Sequence, residues 1–203
     1  MSAQDLPVDV SRETSDRLKT YESLLQTWNP RINLVSRSTL SEAWTRHIVD
    51  SVQIFDLAPG FTHWADLGSG GGFPGLVCAI LAAERVPDAE FTLVESDQRK
   101  CAFLRSVARE TGVKVQVKAS RIEALPPLGA DLLSARALAD LPALLTHAER
   151  HLSPAGTAIF PKGRQWEKEV EAARKTWQFD LETSKSITDE QAVILQIKGV
   201  SRV

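Results

Sequence analysis

The chain has 203 residues, 43% of them hydrophobic and 25% charged, with a net charge of −2. This composition supports one sizeable core plus an appendage, and no segment resembles a membrane-spanning helix. The longest apolar run, Leu76 to Ala83, falls far short of the ~20 residues a spanning helix needs.

The first residues, MSAQDLPVDVSRET, carry acids and no apolar block, so no secretory signal is expected. Leu18, Tyr21, Leu25 and Trp28 then recur at helical spacing and predict one buried helix face. Asn29-Pro30 should end that helix, because the residue before a proline is pushed out of the α region. Thr39 and Glu42 fit a capping box for a second helix, with Leu40, Ala43, Trp44, His47 and Ile48 on its apolar face. Ala58-Pro59-Gly60 marks a boundary. Residues 1–57 are expected to form a helical extension and residues 58–203 a second domain.

Beyond the boundary, strands are predicted at 62–67, 90–95, 113–118, 131–135 and 156–160. Helices are predicted near 74–84, 97–110, 140–151 and 164–177. That alternation implies βαβ units, a parallel sheet and an α/β fold. Phe179 to Ile187 and Ala192 to Lys198 leave no room for a helix between them, so the sheet should finish in an antiparallel hairpin with TDEQ at its turn. Two cysteines, Cys78 and Cys101, lack C-x-x-C spacing and suit a reducing compartment rather than a disulfide framework or a zinc site. From Gln98 to Arg121, seven basic residues face one acid. This excess fits a solvated surface or a phosphate backbone equally well.

The stretch ADLGSGGGFPG joins a strand to a helix and holds five glycines in eight residues, more than a tight turn needs. With Pro74 at the helix start, it forms a cradle for a polar or anionic ligand. A P-loop would need Lys after Gly75, where Leu76 stands. A dinucleotide fingerprint fails from Gly68, because Phe73 takes the third glycine's place. From Gly70 it passes, but the strand then ends too early, and a lone match is weak. S-adenosylmethionine fits better. Asp66 at the strand end can face the ammonium of the methionine part. Glu95 at the next strand end can accept the ribose hydroxyls. Ile122 and Glu123 can cover and bond the adenine.

Several chemistries are missing. LLSARAL stands where exocyclic-amine methyltransferases carry N-P-P-[YFW]. No Pro-Cys pair offers a nucleophile for C5 methylation. His147 and His151 are four apart but lack a third ligand, so no metal is expected. His47 and Asp50 share a helix face, as packing or capping residues or as part of a site. With no general base evident, the pattern suits an acceptor such as guanine N7, which carries no proton to remove and needs mainly to be oriented.

Taken together, these motifs resemble the bacterial small-subunit rRNA guanine-N7 methyltransferases, the glucose-inhibited division protein B family. WNPRINLVS and RHIVDS resemble W-N-x-x-x-N-L and R-H-[IL]-x-D-S, and the glycine loop resembles D-[VL]-G-[TS]-G-x-G-x-P-G. ESDQRKCAFL, SRIE, ARAL and PKG match further family patterns over Trp28 to Val193, with Glu95 for the usual Asp and Ala135 for the usual Ser. The resemblance implies a class I S-adenosylmethionine-dependent methyltransferase fold, Rossmann-like, with a mostly parallel seven-stranded sheet and an N-terminal helical extension. It implies methylation of one guanine N7 in 16S rRNA near the decoding region. The partner would be 16S rRNA or the small ribosomal subunit, an assembly intermediate included, in the cytoplasm, with the enzyme a monomer. Cofactor contacts are expected from Asp66, Gly68, Gly70, Phe73, Glu95, Ile122, Glu123 and Arg136. Asn33, Arg46, His47, Lys162 and Arg164 are candidates for an RNA-facing rim, and Arg136 and His47 for positioning roles. The competing readings are a methyltransferase with another RNA or a small-molecule acceptor, a non-catalytic RNA-binding or assembly module, and a nicotinamide-dependent oxidoreductase.

Overall fold

A computed structural model describes residues 6–203; the first five residues of the expected 1–57 extension lie outside the described residues. Helix α1, Arg12–Ile32, starts where Ser11 Oγ accepts the Thr14 amide at 3.1 Å, an N-cap of the expected chemistry. The predicted stripe is buried: Leu18, Tyr21 and Leu25 are inaccessible, with Trp28 packed beside them.

Asn29-Pro30 does not end this helix. Asn29 stays helical because its side chain spans the end: Oδ1 accepts the Leu34 and Val35 amides at 2.7 and 2.8 Å. Termination falls to Asn33, in the left-handed conformation at φ 50°. The second predicted helix is also different. A 3₁₀ segment Arg37–Glu42 leads through a π segment, Trp44–Val49, into α2, Asp50–Asp56. No capping box forms, because Thr39 lies inside the 3₁₀ segment and its hydroxyl meets Ser36 O at 3.1 Å and His47 Nε2 at 3.0 Å.

The sheet follows the expected alternation. The elements are β1 His63–Leu67, α3 Gly75–Arg85, β2 Glu90–Glu95, α4 Gln98–Thr111, β3 Gln116–Ala119, β4 Ala130–Ala135, α5 Leu141–His151, β5 Leu152–Lys162, α6 Trp166–Ala173, β6 Trp177–Lys185 and β7 Val193–Arg202. β3 starts later than predicted because Gly112, at φ 68°, caps α4 and the Val113 amide turns back to Ala108 O. Strand order is β3-β2-β1-β4-β5-β7-β6. The first five strands are parallel, and β7 runs antiparallel to both β5 and β6.

Helices cover both faces, as parallel strands require. One core holds the stripe of α1 together with α2, α3 and α4, around Trp64 and its aromatic neighbours Phe55, Phe61 and Phe91. The other joins β4, β5 and β7 to α5 and α6. Among the described residues no helix is long and apolar enough to cross a membrane.

Candidate active site

The carboxyl ends of β1, β4 and β5 open into a cavity of about 900 Å³, closed on one side by the segments before α2 and on another by the β6–β7 turn. This is where ligands of open α/β sheets bind. Gly68 turns the chain out of β1 at φ 64°, and a Cβ there would lie 2.6 Å from Leu138 Cδ1. At Gly70 a Cβ would meet only the Gly68 oxygen, at 3.7 Å, so a ligand can lie against bare backbone.

Behind the loop, Gly75 lets α3 approach the sheet; a Cβ there would be 2.7 Å from Asp66 Oδ2. Asp66 is thus buried at the helix N-terminus and does not line the cavity. Its Oδ1 accepts Ser134 Oγ at 2.6 Å, which in turn accepts Trp64 Nε1 at 2.8 Å, while Oδ2 has no hydrogen-bond partner. Burial pushes this carboxyl up to about 6, against the hydrogen bond from Ser134. The positive end of α3 is therefore met from within the chain, by a carboxylate of its own.

Phe73 lines the cavity wall. Its ring stacks on Tyr21 at 5.1 Å, meets His47 at 5.1 Å and carries the Arg136 guanidinium at 5.0 Å. Tyr21 also donates its hydroxyl to the Gly71 carbonyl, tying α1 to the glycine loop. Arg136 Nη1 reaches Asp50 Oδ2 and Arg46 O, both at 3.3 Å. Asp50 Oδ1 accepts Thr188 Oγ1 at 2.6 Å and Gln53 Nε2 at 2.9 Å, so α2 also holds the β6–β7 turn. Burial, with Arg136 and Arg46 beside it, pushes the His47 imidazole down to about 4.

The predicted cofactor residues do not all meet. Gly68, Gly70, Phe73 and Arg136 line the cavity. Glu95 sits beneath the loop, accepting the Gly70 amide at 2.9 Å and the Asp97 amide at 2.8 Å. Ile122 is buried against α5, and the exposed Glu123 lies 3.8 Å from His147. Of the rim candidates, Arg46, His47 and Lys162 line the cavity, whereas Asn33 and Arg164 do not. Lys162 is mostly buried, its ammonium on Ala139 O at 2.8 Å and Glu169 Oε2 at 2.7 Å. Sequence reasoning missed Glu169, Thr188, Tyr21 and Leu138 as parts of the site. Only Tyr21 carried a signal, as a polar-tipped ring on a buried stripe.

The family model for GidB, described as rRNA small subunit methyltransferase G, matches residues 14–197. The chain belongs to this family. A ribosomal RNA small subunit methyltransferase G from Ruegeria pomeroyi is 60% identical over 97% of this chain and 96% of its own length. One from Ruegeria sp. (strain TM1040) is 59% identical over 98% and 97%. A crystal structure of a TehB-like SAM-dependent methyltransferase from Corynebacterium glutamicum matches with a TM-score of 0.58, covering 89% of this chain and 98% of that one. At 14% identity that likeness is one of fold, the class I methyltransferase sheet. In this chain the sheet places the glycine loop, Phe73 and Arg136 around one cleft.

Proposed function

We propose that this protein transfers a methyl group from S-adenosylmethionine to N7 of one guanine in small-subunit rRNA, in line and without a general base. The observation that carries this reading is the state of the titratable groups around the cavity. Asp50 is committed to Thr188, Gln53 and Arg136, and Glu169 to Lys162 and the Leu141 amide. Asp189 accepts the Gln191 amide, and His47 is held far below its ordinary value. Carboxylates already engaged and an imidazole this weakly basic suit a ring nitrogen whose lone pair carries no proton to remove.

The donor supplies an electrophilic methyl on a sulfonium. Gly68 and Gly70 would hold it against bare backbone, with Phe73 and Arg136 bordering the transfer zone. Glu95 braces the loop from below, with Ile122 and Glu123 on the adenine side and Asp66 setting a negative charge behind. Arg46, His47, Asn33 and Arg164 form the RNA-facing rim. The protein works in the cytoplasm as a monomer, on 16S rRNA or an assembling subunit.

Mass spectrometry of 16S rRNA from cells lacking the gene tests this. One 7-methylguanosine should vanish and return with the wild type but not with Gly68→Arg. An unchanged methylation map would refute the substrate.

A further inference from the structure

Between β4 and α5 the chain runs as a strap, Arg136 to Asp140, across the glycine turn. Ala137 adopts φ 53°, a conformation costly for a residue with a Cβ. Leu138, 37% exposed, stands directly over Gly68, the residue where a Cβ would collide with it. Two ion pairs fix the strap's ends. At the first, Arg136 joins Asp50 at 3.3 Å and lies over Phe73. At the second, Lys162 Nζ donates to the Ala139 carbonyl and to Glu169 Oε2, and Glu169 Oε2 also takes the Leu141 amide at 2.8 Å. One carboxylate oxygen thereby ties the end of β5 to the first residue of α5, while the Lys162 ammonium holds Ala139 within the strap.

We propose that the Lys162–Glu169 pair is a positioning device that holds the strap over Gly68 and so sets the affinity of the methyl-donor cleft, and that Lys162 is not a phosphate contact. The proposal rests on the methyl-donor reading above. A lysine on the rim of an RNA-binding cleft would present its ammonium to solvent. This one is turned inward, 9% exposed, with a carbonyl and a carboxylate at bonding distance. Truncating either partner removes the opposite charge and leaves Lys162 on the Ala139 carbonyl alone or Glu169 on the Leu141 amide alone, so the two should fail in the same way.

The test uses the full chain with Lys162→Met, the isosteric Glu169→Gln and the double variant. Three quantities are read: hydrogen exchange of the Ala139 to Leu141 amides, S-adenosylmethionine affinity by calorimetry, and the salt dependence of binding to 16S rRNA. Each single variant should speed exchange at Leu141 and weaken cofactor binding on the order of tenfold, and the double should be no worse than the poorer single, because contacting residues couple. The RNA salt slope should match the wild type. If Lys162→Met instead leaves exchange and cofactor affinity unchanged and lowers the salt slope by about one, Lys162 is a phosphate contact and the proposal falls. It falls equally if Glu169→Gln behaves as wild type, a variant that is informative even where Lys162→Met does not fold. A wild type that binds no S-adenosylmethionine would overturn the functional reading, while the exchange comparison still decides the brace.

Discussion

Asp66→Asn should change how stability depends on pH, by an amount the structure sets. In the folded chain the carboxyl is buried and titrates near 6, against an ordinary 3.8. A carboxyl raised on folding contributes stability that is complete below about 3.8 and lost as pH rises through about 6. At ~1.4 kcal/mol per pH unit, that window is worth about 3 kcal/mol. His47 acts in the opposite sense. Pushed from 6.5 down to about 4, it lends stability at neutral pH that is lost as pH falls toward 4. The wild type alone would thus show a muted profile, and the difference between variant and wild type isolates Asp66. Urea denaturation of both, without cofactor, should show the variant gaining on the wild type by about 2.4 kcal/mol between pH 4 and pH 7, most of that window. For a chain of this size the gap in Tm should widen on the order of 10 °C. Whatever the offset from burying an amide, its slope with pH should hold. A gap that stays flat, or narrows with rising pH, refutes a buried carboxyl with a raised pKa.

Tyr21→Phe keeps the stack on Phe73 but leaves the Gly71 carbonyl without its donor; denaturation should show a loss of about 1–3 kcal/mol. Gly68→Arg forces a side chain into a left-handed turn under Leu138, so calorimetry should find no S-adenosylmethionine binding while circular dichroism stays near native. Binding at wild-type affinity would contradict the cradle. Asp50→Ala frees Arg136 and Thr188 together and should cost roughly 2–3 kcal/mol, below the range for a fully buried pair. Its methylation rate should fall more than its cofactor affinity, and an unchanged rate would remove Asp50 from the site.

The sheet was legible because its cues are local. Apolar runs bounded by glycine and proline, with helical stretches between, placed β1, β2 and β4 within a residue or two, and the absence of a helix after Phe179 announced the hairpin. The segment from Asn29 to Val49 was not legible, because side chains reaching across the chain decide it. Asn29 carries its helix past a proline by bonding Leu34 and Val35, and Thr39 spends its hydroxyl on His47 rather than a cap. In the site, residue types and positions pointed to Gly68, Gly70, Phe73 and Arg136, which line the cavity, but not to Leu138 over Gly68, nor to which way the carboxylates point. Asp66 and Glu95 bear the right charge at the right strand ends, yet one lies behind α3 and the other beneath Gly70. The pairing of Lys162 with Glu169 left no sequence trace, since it depends on the angle between β5 and α6.

The position of β7 sets the order in which the molecule can be completed. Synthesis delivers β6 first, but β6 pairs with β7 alone, and β7 occupies the slot beside β5. On the ribosome, therefore, β5 must keep a bare edge while β6 emerges with nothing to join, a state open to wrong partners. The sheet closes only when Val193–Arg202 arrives and zips two neighbours at once. Thr188, in the turn just before it, then reaches Asp50, across 138 residues of chain. One wall of the cleft thus forms only after β7 has emerged, and a nascent chain lacking that strand has no finished site.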